Sequence, residues 1–293
     1  MYWTNSALKL RAKEQLHQRW GNYLVVVFLY TLITELVQLV TTLLTSLTSF
    51  NLPLWLYARA VLNYTDSLPP EYAAAFESNF REYLESAFGA LVDYVPTAGQ
   101  IILQLALYVL SILLTIFVFS VLEIGLNRWF MEARGGSPTV STLFSGFGSG
   151  AQWRSTVWVM FCMRLFTGLW SLLFVIPGIV FMYQTILVPY LLAENPYMPR
   201  KRAFELSKAL TRGEKARILV LQLSFIGWIF LSALAQQAAA AVLPALGTIV
   251  GFVGDMLVTV YLHATFAELY ATMRDKAFQL GYSDATELAG FTA

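Results

Sequence analysis

Six ionisable side chains interrupt or border long apolar runs: Glu35, Glu123, Arg164, Asp255, His263 and Glu268. A charge at the centre of a bilayer-spanning helix costs about 2.5–3.5 kcal/mol on insertion scales, so such groups are paired, hydrated or at work. Glu123 closes one apolar run and Arg164 opens the next. An ion pair between them is the simplest chemistry, and separate snorkelling of each side chain is the other. Counted from residues 24 and 246, Glu35 and Asp255 lie eleven and nine residues into their runs. At about 1.5 Å per residue their depths match. Two readings follow, a buried hydrogen-bonded structural pair, or a polar cavity or proton path between the first and last runs. His263 would extend such a path, because histidine titrates near neutral pH, or it is a hydrogen-bonded core residue.

Other chemistry is sparse. Cys162 is the single cysteine and reads as a small packing residue; His17 and His263 are the two histidines and sit in different segments, so no metal site is expected. Gly135-Gly136-Ser137-Pro138 and the glycine-rich 146–150 stretch lack the lysine and strand context of a phosphate loop and read as turns. No nucleophile-elbow or zinc-protease motif occurs, so neither a catalytic residue nor a cofactor is expected.

The elements that must carry these groups are membrane helices. Of 293 residues 57% are hydrophobic and 13% charged, about half the charged fraction of a soluble domain. Spans are placed at about 24–48, 99–124, 157–176, 179–193, 218–242 and 246–272, by apolar runs bounded by charge, glycine, proline or interfacial aromatics. The expected fold is an all-α polytopic bundle of about six transmembrane helices, forming one integral membrane domain over 1–293. The first run has no small-residue cleavage pattern behind it and reads as a retained span rather than a signal peptide. The fourth, at 15 residues, either borrows from its flanks or is a shallow half of a hairpin. Net charge is +1, so no global field draws in nucleic acid.

Orientation follows the cations. The first 20 residues carry Lys9, Arg11, Lys13 and Arg19, the 125–156 loop Arg128, Arg134 and Arg154, and the 194–217 segment seven more. Residues 50–98 carry Arg59 and Arg81 against six carboxylates and read as extracytoplasmic. An even span count puts every basic segment on one side, which predicts both termini in the cytoplasm.

Four further features are legible. Residues 70–95 have an amphipathic period and read as an outer interfacial helix, with partner binding or substrate gating as the other reading. Within 196–217, Ala203, Phe204, Leu206, Ser207 and Leu210 form a weakly apolar face and Arg200, Lys201, Arg202, Lys208 and Arg212 crowd the rest. That is an inner basic helix, either a plain topology signal or a site for anionic head groups or a partner protein. Glu194 and Asn195 read as caps and a cation partner for it. Pro177 and Gly178 are expected at the apex of a hairpin. Gly247, Gly251 and Gly254 line one helix face and suit close packing within the chain or a homodimer.

The run Leu169-Trp170-Ser171-Leu172-Leu173, Ile176-Pro177-Gly178-Ile179, Tyr183, Pro189-Tyr190, Ala193-Glu194-Asn195-Pro196, Ala203, Leu206-Ser207-Lys208, Gly213 and Leu223-Ser224-Phe225-Ile226-Gly227-Trp228 resembles the bacterial membrane-protein family known as domain of unknown function 975. Leu8-Lys9, Ala12-Lys13 and Trp20-Gly21-Asn22-Tyr23 are similar to its start. A weaker similarity links the proline-glycine hairpin, the acidic residue after it and the basic alanine/serine helix to the membrane domain of some glycerophosphodiester phosphodiesterases, without their hydrolase domain. The family resemblance strengthens the fold expectation and leaves activity open. Three functional readings arise: a non-enzymatic accessory or lipid- and protein-interacting component, a small transporter or channel using Glu35 and Asp255, and an intramembrane enzyme, disfavoured because no nucleophile and base pair can be placed at one depth. The first is favoured because transporters advertise broken helices in two corresponding halves, and the sequence offers one such hairpin.

Overall fold

A computed structural model of the chain describes residues 3–46, 56, 69, 72 and 96–290. Nearly all of these are helical: α1 Asn5–Ser46, α2 Ala98–Glu132, a 3-10 segment Val140–Phe147, α3 Gly150–Leu173, α4 Val175–Thr185, α5 Val188–Glu194, α6 Arg200–Leu210, α7 Lys215–Leu223, α8 Ile226–Val242 and α9 Pro244–Gln279. Six stretches are long and apolar enough to cross a membrane: α1, α2, α3, α4 with α5, α7 with α8, and α9. The chain is a multi-pass all-α membrane protein. The outer amphipathic helix expected over 70–95 lies outside the described residues.

Two compact units can be distinguished, Met1–Glu35 with Ile116–Ala293, and Leu36–Thr115. In the second, the described parts are the end of α1 and the first half of α2. There Leu39, Leu43, Ile102 and Val109 are exposed, and Thr41 and Thr45 return their hydroxyls to helix carbonyls, as hydroxyls do where water is absent.

In the first unit the packed core is concentrated towards one end. Trp129, Tyr23 and Phe130 are fully buried there, with the Tyr23 and Trp129 rings edge to face at 5.0 Å. The second half of α9, from Ala264 to Met273, is buried throughout, whereas α8 has no buried residue. A 17-residue apolar helix that packs only along α9 and buries no residue fully is tolerable only in lipid.

At 42 residues α1 is about 60 Å long, twice the hydrocarbon thickness. A break at Arg19 (φ −145°, ψ 34°) divides it. Before the break Leu8, Ala12 and Leu16 bury one stripe against the rest of the unit. This is the basic end, where α6 and the end of α9 also lie.

Two features depart from expectation. The α3–α4 reversal falls at Phe174, which is extended (φ −152°, ψ 126°), so Pro177 and Gly178 sit inside the first turn and a half of α4 instead of at the apex. Proline is tolerated there because first-turn N–H groups have no helical acceptor. Starting at Val175, the fourth span runs 20 residues to Glu194, about 30 Å, and is full length. The hairpin also has a counterpart. α8 and α9 reverse at Leu243, extended in nearly the same way (φ −153°, ψ 125°), with Pro244 opening α9. Asymmetry therefore gives no support to the accessory reading.

Candidate functional site

The basic end is closed by two buried carboxylates, each at the centre of a lock. Glu268 of α9 accepts Arg134 Nε at 2.6 Å, from the turn after α2, and Gln15 Nε2 at 2.5 Å, from the first part of α1. Arg19 donates to the Gly136 carbonyl beside it. Glu194, at the end of α5, accepts the Tyr270 hydroxyl at 2.6 Å, Arg274 Nε at 2.8 Å and the Gly290 N–H at 2.8 Å. Its cation partner is thus in α9 and not in the following helix, because the buried end of α5 faces α9. Asn195 accepts from the Tyr197 N–H and donates to the Glu287 carbonyl. With most of their acceptor capacity taken by donors from distant segments, these carboxylates hold elements together.

The C-terminal tail is fastened over the same end. Arg202 of α6 grips Glu287 with two bonds of 2.6 Å and donates to the Tyr282 carbonyl, while Arg274 reaches the Leu288 carbonyl. The Arg202 hydrogen bond, helped by the Ser283 hydroxyl, outweighs partial burial and holds the Glu287 carboxyl below its usual range. Asp284 is held low by the Thr286 hydroxyl and the N–H groups of Glu287 and Thr286.

Of the groups within the spans, Arg164 Nη2 lies 2.8 Å from Glu123 Oε2. His263 Nδ1 is 3.1 Å from Asn127 Oδ1, with the Tyr30 and Phe130 rings against the imidazole. Glu35 and Asp255 are not brought together: both are exposed, Asp255 has only a long 3.5 Å contact from the Ser232 hydroxyl, and no hydrogen bond joins the two. Cys162 is buried with Arg200 Nη1 3.7 Å from its sulfur, and no metal-binding cluster occurs among the described residues.

The cations of α6 divide into two groups. Arg202 is committed to Glu287, and Arg200 lies over the Phe166 ring. Lys208 and Arg212 are exposed with no carboxylate at ion-pair distance among the described residues, and Lys201 has only a loose 3.9 Å contact to Glu205. The apolar face of α6, with Ala203, Leu206 and Leu210 buried, is covered by α4, α5 and α9, and Ser207 donates to the Gln184 carbonyl. α6 thus has no apolar face left for the membrane and presents charge alone.

A groove of about 800 Å³ opens beside this end. Lys13, His17 and Trp20 line it from α1. Trp228, Leu231, Ser232 and Ala235 form the α8 wall, and Gly254, Leu257, Val258 and Tyr261 the α9 wall, with Phe225 at the kink between α7 and α8. Lys9 Nζ sits 4.5 Å from the Phe225 ring and Lys13 Nζ 5.8 Å from that of Tyr261, so cations gather where the aromatic end of the groove lies. Trp228 is 51% and Leu231 57% exposed, which opens the groove sideways to the surrounding medium, lipid at this level.

Sequence reasoning gave no site role to Lys13, His17, Arg134, Arg274 or Glu287, and read Lys13 and Arg134 as topology cations. The signal for the first two was present, since Lys13, Leu16, His17 and Trp20 recur at helical spacing along one stripe. The other three act through partners far away in sequence, and no local pattern marks them.

The glycines of α9 point at α8: a Cβ at Gly247 would strike Ala240, one at Gly251 Gln236, and one at Gly254 Ser232. Close packing within the chain thus occupies that stripe.

Residues 174–276 match the model of a family described as protein of unknown function (DUF975), the segment from the first reversal almost to the end of α9. This segment is similar to that family and holds most of the motifs that suggested it. No curated protein and no solved structure matches the chain. The weaker similarity to the phosphodiesterase membrane domain is not shown by these matches.

Proposed function

We propose that the protein is a non-enzymatic, lipid-interacting accessory component of the bacterial plasma membrane, with its basic end in the cytoplasm and anionic head groups as its partners. The observation that carries this reading is the division of labour on α6. Its apolar face is spent on protein while Lys201, Lys208 and Arg212 stay outward. Each cation near a negatively charged leaflet contributes about 1 kcal/mol. The transporter alternative draws no support from Glu35 and Asp255, which share no contact.

Extraction of the protein with its lipid annulus into polymer-bounded discs tests the proposal. Phosphatidylglycerol is expected to be enriched over bulk membrane around the native chain and reduced towards bulk around a Lys201→Glu, Lys208→Glu, Arg212→Glu variant. An annulus of bulk composition around the native chain would refute it.

A further inference from the structure

The groove between α1, α8 and α9 combines a cationic end with an apolar length, and its dimensions select an occupant. From Phe225 to Ala235 along α8 is ten residues, about 15 Å, and from Tyr261 to Gly254 along α9 is seven, about 10 Å. That is about half of a hydrocarbon core roughly 30 Å thick, the depth of one leaflet. The aromatic end coincides with Lys13 and His17, neither of which has a carboxylate at ion-pair distance among the described residues. Walls that are apolar and laterally open admit a molecule already dissolved in the membrane, and cations at the membrane surface select its charge.

We propose that this groove binds one anionic phospholipid of the leaflet at the basic end. Its phosphate is held by Lys13 and His17, and one acyl chain lies along Leu231, Ala235 and Leu257, with Trp20 and Trp228 flanking the glycerol region, where indoles are favoured. The assignment deepens the lipid-interacting reading and rests on it. It differs in kind from the α6 contact, because α6 offers charge without a cavity and attracts many lipids loosely, while the groove holds one.

The test is native mass spectrometry of the full-length protein, delipidated in a neutral maltoside detergent and titrated with phosphatidylglycerol or with phosphatidylcholine of the same acyl chains. One phosphatidylglycerol per chain is expected to be retained, with an affinity over phosphatidylcholine of about five-fold from the Lys13 charge. Lys13→Gln combined with His17→Gln, two exposed positions, is expected to remove that preference. Ala235→Phe, which fills the apolar wall, is expected to prevent retention of either lipid with helicity by circular dichroism unchanged. Equal retention of the two lipids by the native chain, or native-level phosphatidylglycerol retention by both variants, overturns the site. If one-to-one retention fails while the annulus stays enriched in phosphatidylglycerol, the groove alone falls. If enrichment fails too, the lipid-interacting reading falls with it.

Discussion

Glu194 has a side chain with no exposure, and Tyr270, Arg274 and the Gly290 N–H all converge on it. Removing one partner of a buried ion pair costs about 3–5 kcal/mol, since the remaining charge is left desolvated. Glu194→Ala is expected to lose about that much in thermal or denaturant unfolding in detergent. Glu194→Gln should lose less, because the amide oxygen can still accept from the Gly290 N–H while the amide N–H group can donate to the Tyr270 hydroxyl oxygen. A second residue-scale prediction concerns Glu287, whose folded pKa lies below the ordinary 4.5. A depressed carboxylate contributes stability that is complete above its unfolded pKa and is lost as pH falls through its folded pKa. Hydrogen exchange over residues 280–290 should therefore stay slow from pH 7 to about 4.5 and rise below it, and Glu287→Gln should show fast exchange already at pH 7. The two carboxylates also mark the limit of sequence reading. Glu123 and Arg164 could be matched because each borders its own apolar run, whereas Arg202 meets Glu287 across 85 residues and Arg274 meets Glu194 across 80.

The two reversals repeat one construction at the scale of the helical hairpin. Each has an extended residue between helices, Phe174 or Leu243, and a glycine four positions later, Gly178 or Gly247, whose missing Cβ lets the backbone three positions before the break come close. At Gly178 the neighbour is Ser171 and at Gly247 it is Ala240. Overpacking a close contact costs about 1–3 kcal/mol, and more where the obstacle is backbone. Gly178→Leu and Gly247→Leu should each lower the unfolding midpoint in detergent by several degrees. Gly227→Ala serves as the control: it has open space around it, and alanine's helix preference makes it neutral or stabilising by up to about 1 kcal/mol. The span limits were legible because hydropathy reports length directly. The hairpin apex was not, since Ile176-Pro177-Gly178 carries the composition of a turn while its proline occupies a first-turn position that needs no N–H donor. Pro244 illustrates the other case, with the residue before it extended, as pre-proline sterics favour.

For the whole molecule, the proposed orientation rests on charge placed by the fold. The beginning of α1, the turn after α2, α6 and the end of α9 are joined at one end by Gln15, Arg134 and Glu268, by Lys276 and Glu214, and by the tail on Arg202. Their cations therefore act together on the side of the membrane they meet, which the proposed orientation, following the positive-inside bias, makes the cytoplasm. Cys162, buried and the single cysteine, gives a quiet background for labelling. Cysteines introduced as Lys208→Cys and Asp284→Cys should react with a membrane-impermeant maleimide only after intact cells are opened. Tyr72→Cys, in the acidic segment and exposed, should react before. Labelling of position 72 and position 208 from the same side would overturn the orientation. It would also remove the leaflet from which the groove is proposed to draw its lipid, because Lys13 and His17 lie at the end that Lys208 marks.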